Sequence, residues 1–152
     1  MYKINKLTEK RFFTCYTVVD SAISMMMTKE GETSSMKQFL GKDLYIKEYR
    51  TIILQLPRQC GKSTYIAEHA SIDDLVIYNN RLMMKNSPNT LATRVAYNSI
   101  TSFADDIFQK SYETIWCDEL SLTTLSGRGF NELIKYLTKT GNEMIVGLTT
   151  LF

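Results

Sequence analysis

Thr51-Ile-Ile-Leu-Gln-Leu-Pro-Arg-Gln-Cys-Gly-Lys-Ser-Thr64 is the stretch that decides the fold of this chain. Its apolar run, Ile52 to Leu56, reads as a buried strand that breaks at Pro57 into a short loop. The loop ends Gly61-Lys62-Ser63-Thr64, and a helix-like segment, Tyr65 to Ala70, follows at once. Strand, phosphate-sized loop and helix N-terminus in that order are the context of a P-loop. Gly61 removes a Cβ where backbone N–H groups must close on phosphate oxygens, and the helix N-terminus adds its positive dipole end. Lys62 would reach the β- and γ-phosphates of a nucleotide, and the Ser63 hydroxyl would join a Mg²⁺ shell. The first glycine of G-x-x-x-x-G-K-[ST] would fall at position 56, where the chain has Leu56, so the textual motif is incomplete. The plain alternative is a capped helix after a buried strand.

A second stretch bears on the same site. Glu113-Thr-Ile-Trp-Cys-Asp-Glu-Leu120 is an apolar run that delivers two acids at its C-terminal end. Ligands of open α/β sheets bind at the carboxyl ends of the strands, so Asp118 and Glu119 would face the crevice that holds the P-loop. Asp118 would hold Mg²⁺, directly or through water. Glu119, with no Coulomb partner of its own, would orient and deprotonate an attacking water. An apolar run ending in Asp-Glu is weak on its own, but downstream of Gly-Lys-Ser-Thr the two signals meet on one site and indicate nucleotide binding.

The rest of the chain supplies the frame. Its 152 residues suffice for one domain with a real core. A hydrophobic fraction of 44% and a charged fraction of 22% are those of an ordinary globular protein. The net charge of +2, from 18 basic and 16 acidic residues, gives no general signal for nucleic acid, so any basic groove would be local. Cys15, Cys60 and Cys117 are odd in number and widely spaced, which argues against a disulfide framework or zinc site and for a reducing cytoplasm. They read as small packing residues, with an oxidation-sensitive Cys60 as the alternative. No apolar run approaches a membrane span, and the N-terminus lacks the apolar core of a signal peptide.

In chain order, residues 1 to 7 read as a short tail or edge strand. From Thr8 to Lys29 the positions Phe12, Phe13, Tyr16, Val19, Ala22, Ile23, Met26 and Met27 recur at helical spacing. A turn at residues 31–35 leads to a short helix from Ser34 to Leu40, then to a polar approach from Gly41 to Arg50 whose Tyr45 and Tyr49 read as packing residues, with a ring beside a nucleotide base as the alternative. Strands are expected at Leu75 to Tyr78, Arg94 to Asn98 and Met144 to Phe152, although Thr90 to Tyr97 also fits a helix. Helices are expected at Arg81 to Lys85, at Ser99 to Gln109 with Phe103, Ile107 and Phe108 inward, and at Arg128 to Thr140 with Phe130, Leu133, Ile134 and Leu137 on one face. His69 reads as a surface or packing residue and Trp116 as core. Alternating apolar runs and amphipathic helices indicate an α/β fold with a mostly parallel sheet.

Pro57-Arg58-Gln59-Cys60-Gly61-Lys62-Ser63-Thr64 resembles the variant P-loop of phage terminase large subunits, in which Arg-Gln-x-Gly-Lys-[Ser/Thr] is common and the first glycine is often absent. Ile115 to Glu119 is similar to the Walker B segment of that family. Gly147-Leu-Thr-Thr150 resembles the threonine-rich coupling motif of terminases and related helicases, and Val95 to Ile100 is faintly like a helicase DNA-contact segment. The resemblance covers about residues 50 to 150. It implies a three-layer P-loop NTPase of the ASCE, RecA-like class, in which Met144 to Thr150 forms an additional strand between the P-loop strand and the Walker B strand. Residues 50–152 would be the nucleotide-binding core and residues 1–49 a helical N-terminal extension.

The same resemblance implies ATP and Mg²⁺ as cofactors, with Pro57 to Thr64 around the phosphates and Ser63 and Asp118 at the metal. Lys62 and Glu119 would be catalytic, Thr149 or Thr150 would sense the γ-phosphate, and Arg58 would be either an arginine supplied in cis or a phosphate-adjacent loop residue. A terminase motor adds a nuclease domain, and helicases add a second lobe; neither is expected from this sequence. The expectation is therefore a minimal ATPase core in a phage or viral process, in the host cytoplasm if viral. DNA is the implied nucleic acid, and a protein partner or self-association would supply the missing motor parts. Two other functions compete: a small nucleoside or nucleotide kinase, and a slowly hydrolysing nucleotide-dependent interaction module. Against the kinase stand the water-activating Glu119 and the lack of an arginine-rich lid, since Arg81, Arg94 and Arg128 are scattered.

Overall fold

The computed structural model describes residues 2–29, 33, 35–103 and 105–150, with the side chains described from Cys15 onward. The first helix, α1, runs Tyr2–Thr28 and so begins ahead of the expected start at Thr8. Residues 2 to 7 are helix, not a tail or an edge strand, because no Gly or Pro occurs before position 31 to interrupt it. Its described inward face includes Cys15 and Val19, both buried, whereas Met27 is exposed and not part of the core. Phe12 and Phe13 lie outside the described side chains, as does most of the turn expected at residues 31–35.

Two short helices follow, α2 (Met36–Leu40) and α3 (Lys42–Tyr49), hinged at Gly41 with φ 81°. The second of these replaces the expected polar approach. It buries Tyr45 and Ile46, so Tyr45 is a packing residue.

The remaining elements alternate: β1 (Thr51–Leu56), α4 (Lys62–His69), β2 (Leu75–Tyr78), α5 (Arg81–Asn86), β3 (Thr93–Ala96), β4 (Thr114–Asp118), α6 (Leu122–Leu125), α7 (Arg128–Leu137) and β5 (Met144–Thr150). Between β3 and β4 the expected helix at Ser99 to Gln109 shrinks to a 3-10 turn over Asp106–Gln109. Ile107 and Phe108 are buried there as expected. Phe103 instead lies on the surface, its ring stacked on Tyr136 at 4.1 Å.

All five strands pair in parallel, in the order β1-β5-β4-β2-β3. Strand β5, expected between the other two motif strands, lies there: Leu56 pairs with Thr150, and Asp118 pairs with Leu148. A parallel sheet must be covered on both faces, and its inner strands β2, β4 and β5 are buried along almost their whole length. One face buries Val76, Trp116, Val146 and Leu148 beneath α4 and α1. The other buries Leu75, Ile77, Ile115 and Ile145 beneath α3, α6 and α7, with Phe130, Leu133 and Leu137 pointing inward. Each such side chain contributes about 1.5–3 kcal/mol by leaving water. No helix among the described residues is long and apolar enough to cross a membrane.

Two buried acids fix the lower end of the sheet. Asp74, just before β2, accepts the Ser71 N–H, the Thr114 N–H and the Trp116 indole N–H at 2.9–3.1 Å. Glu143, just before β5, accepts the Thr140 N–H and hydroxyl and the Gly141 N–H at 2.8–3.0 Å. Asp74 ties the turn at Ser71 to the start of β4, and Glu143 closes the turn that leads into β5.

Candidate functional site

The site forms at the C-terminal ends of β1, β5 and β4, where parallel strands leave their crevice. Leu56 is still strand: it is buried, pairs with Thr150 and packs in the cluster that contains Tyr65 and Ile66. A side chain at this position therefore belongs to the core, and the loop begins only at Pro57. Gln59 and Gly61 turn the loop with φ 56° and 89°. Gly61 suits that left-handed conformation, while Gln59 carries a Cβ into it and is strained. Gly61 also caps α4, its carbonyl accepting the Tyr65 N–H at 2.8 Å. The first N–H groups of a helix have no acceptor within it, and here they open onto the loop.

A cavity of about 420 Å³ occupies this crevice. Arg58, Gln59 and Gly61 line it from the loop, Lys62, Ser63 and Thr64 from the helix, and Glu119 and Thr150 from the strand ends. Three residues expected around the phosphates do not line it. Pro57 contributes its carbonyl oxygen to the Lys62 ammonium at 3.0 Å. Cys60 is buried with Cys15 in the core beneath α1. Thr149 faces the opposite side of the sheet from Thr150, because successive strand residues alternate.

The two halves of the site are bonded to each other. Lys62, itself 6% exposed, holds Glu119 Oε1 at 3.2 Å. Glu119 thus has a Coulomb partner, contrary to the sequence-based expectation; the pairing arises because β4 ends opposite the start of α4. The Thr150 hydroxyl also meets both Glu119 oxygens, at 2.7 and 2.8 Å. Glu119 sits at φ 60°, a conformation that costs a non-glycine residue about 1–3 kcal/mol unless its surroundings hold it. Its N–H bonded to the Leu148 carbonyl at 2.9 Å supplies part of that hold.

Asp118 lies deeper. Ser63 donates to its Oδ2 at 2.7 Å, whereas Oδ1 is buried with no hydrogen-bond partner. Burial pushes the carboxyl up to about 6, with the Glu119 charge adding to the rise and the Ser63 hydrogen bond and Lys62 opposing it. No group of three or more His, Cys, Asp or Glu side chains among the described residues is arranged to hold a metal. A nucleotide-bound Mg²⁺ needs fewer, since it takes one or two protein oxygens and completes its shell with phosphate and water. The hydroxyl of Ser63 and the unpaired, buried oxygen of Asp118 are hard donors of that kind, so the residues fit such an ion.

The remaining expectations concern packing. Trp116 is core, and His69 stacks on Tyr65 at 3.8 Å. Burial pushes the Cys15 thiol up to about 12, helped by its hydrogen bond with Cys60, and burial likewise raises Cys117. Such thiols are poor nucleophiles.

No protein-family model matches the chain, and no curated protein matches it.

Proposed function

We propose that this chain binds ATP with Mg²⁺ and hydrolyses it, as a minimal P-loop ATPase core. The observation that carries the reading is the convergence of Lys62 and Ser63 with Asp118, Glu119 and Thr150 at one crevice. The position of β5 between β1 and β4 supports the ASCE class within P-loop folds.

The roles follow from the chemistry. Lys62 and the first N–H groups of α4 bind the phosphates, and Gly61 lets the backbone approach them. Ser63 and Asp118 are the residues that would hold Mg²⁺, which when bound neutralises charge on the phosphate oxygens. Glu119 takes a proton from the attacking water, Thr150 orients Glu119, and Arg58 stabilises charge that develops on the transferred phosphoryl group.

A nucleic-acid task, phage or viral, rests on the likeness of residues 57–64 and 115–119 to terminases, and is an analogy. A slowly hydrolysing interaction module is the second reading, favoured by the engagement of Glu119 with Lys62. Phosphate release from ATP and Mg²⁺, with and without DNA, tests both. Turnover that DNA stimulates supports the first reading, and binding with negligible turnover supports the second. Strong phosphoryl transfer to a nucleoside would overturn both in favour of a kinase.

A further inference from the structure

The Lys62 ammonium is buried and already engaged. It donates to the Pro57 carbonyl at 3.0 Å and pairs with Glu119 Oε1 at 3.2 Å. Any phosphate that uses Lys62 must find it in this company. Pro57 offers a neutral oxygen that can remain a partner, since an ammonium has three donors. Glu119 offers a full negative charge, which would face the phosphate across the same ammonium. Like charges in a partly buried site repel, so the carboxylate has to yield.

The structure also shows where the carboxylate can go. The Thr150 hydroxyl reaches both Glu119 oxygens, and its single proton serves either one. Glu119 can therefore leave Lys62 and keep a hydrogen bond. The bond from its N–H to the Leu148 carbonyl holds its backbone in place meanwhile.

We infer that Glu119 and phosphate compete for Lys62, and that Thr150 is a positioning residue that receives the displaced carboxylate. The inference rests on the nucleotide reading and adds a regulatory contact to it: the residue proposed to activate water also restrains binding.

The test is calorimetric titration of the full chain with inorganic tripolyphosphate, without divalent metal, at pH 8. Lys62→Ala should weaken binding. Glu119→Gln, which keeps the shape and removes the competing charge, should tighten it about tenfold, the scale of a charged hydrogen bond in a partly buried site. Asp118→Asn removes a neighbouring charge that is bonded to Ser63 rather than to Lys62, and should tighten binding less than Glu119→Gln does. Thr150→Val should weaken binding about threefold in the native background and leave it unchanged in Glu119→Gln, the non-additivity of a shared contact.

Equal tightening by Glu119→Gln and Asp118→Asn would overturn the competition, leaving only a general charge effect. Weakening by Thr150→Val in both backgrounds would overturn its positioning role, because Thr150 would then act on phosphate directly. Binding that ignores Lys62→Ala, or no binding by any variant, would overturn the nucleotide reading itself and the inference with it.

Discussion

Ser63 donates its hydroxyl proton to Asp118 Oδ2 at 2.7 Å, joining the first turn of α4 to the end of β4, while Asp118 Oδ1 is buried without a partner. An acid so placed has one oxygen bonded to the helix and the other buried without a partner. If this pair holds the metal, chelating Mg²⁺ should lower ATP affinity by about tenfold in the native protein. In Ser63→Ala and Asp118→Ala the same chelation should change affinity by less than about threefold. Titration of a fluorescent ATP analogue with and without EDTA measures this, and an unaltered metal dependence in both variants places the ion elsewhere.

Binding and chemistry should separate along the site. Lys62→Ala is expected to lose ATP binding by about a hundredfold or more, because a buried ammonium is replaced by nothing that can meet phosphate. Glu119→Gln should retain binding and lose about 10²–10⁴ in turnover, the usual worth of a general base. Arg58→Ala should lower turnover at least about tenfold with affinity nearly unchanged. Steady-state phosphate release paired with binding curves reads all three. Native turnover in Glu119→Gln would remove it as the base.

Asp74 should matter to stability and not to chemistry. It accepts three N–H donors in the interior, from Ser71, Thr114 and Trp116. Asn in its place turns one acceptor into a donor that faces a donor, and should cost about 2–4 kcal/mol. Urea unfolding of Asp74→Asn should show the loss, with turnover per folded molecule intact.

Glu143 sets a pH dependence whose sign can be worked out. Burial raises its carboxyl, but the N–H groups of Thr140 and Gly141 and the Thr140 hydroxyl outweigh that and hold it below its ordinary 4.5. A carboxyl depressed on folding adds stability above its unfolded value, and the addition is lost as pH falls through the folded value. Thermal melts should therefore show the native protein losing stability as pH falls below about 4.5. Glu143→Gln should be less stable at pH 7 and should lose less on acidification. Parallel acid limbs in the two proteins would deny Glu143 this role.

The strands were legible because β1, β2, β4 and β5 are runs of branched and aromatic residues ended by Pro57, Asn79, Asp118 and the tail of the chain's apolar stretch. The loop was legible because Gly61-Lys62-Ser63 follows such a run. Helix α3 was hidden, since its buried residues, Tyr45 and Ile46, are adjacent and give no helical period. The Ser99 to Gln109 segment erred the other way: its aromatics suggested a helix face, but Phe103 finds Tyr136 on the surface instead. Within the site, residue types could be read but pairings could not. That Lys62 meets Glu119, and that Thr150 rather than Thr149 lines the cavity, depend on which strands become neighbours. Asp74 and Glu143 did carry a readable signal. Ser71-Ile-Asp-Asp74 and Thr140-Gly-Asn-Glu143 share the [ST]-x-x-[DE] spacing of a capping box ahead of an apolar run, here used to start strands.

The strand order has a consequence for how the molecule is made. Thr51 pairs with Ile145, and β5 is the strand that joins β1 to the rest of the sheet. During synthesis β1 emerges early and has no ladder partner until almost all the described residues have followed. Contacts this far apart in sequence slow folding and prolong the exposure of apolar strand edges. The same arrangement that brings Thr150 to Glu119 thus leaves β1 dependent on the arrival of β5, and a nascent chain interrupted before Met144 would hold an unpaired Thr51–Leu56 strand prone to association.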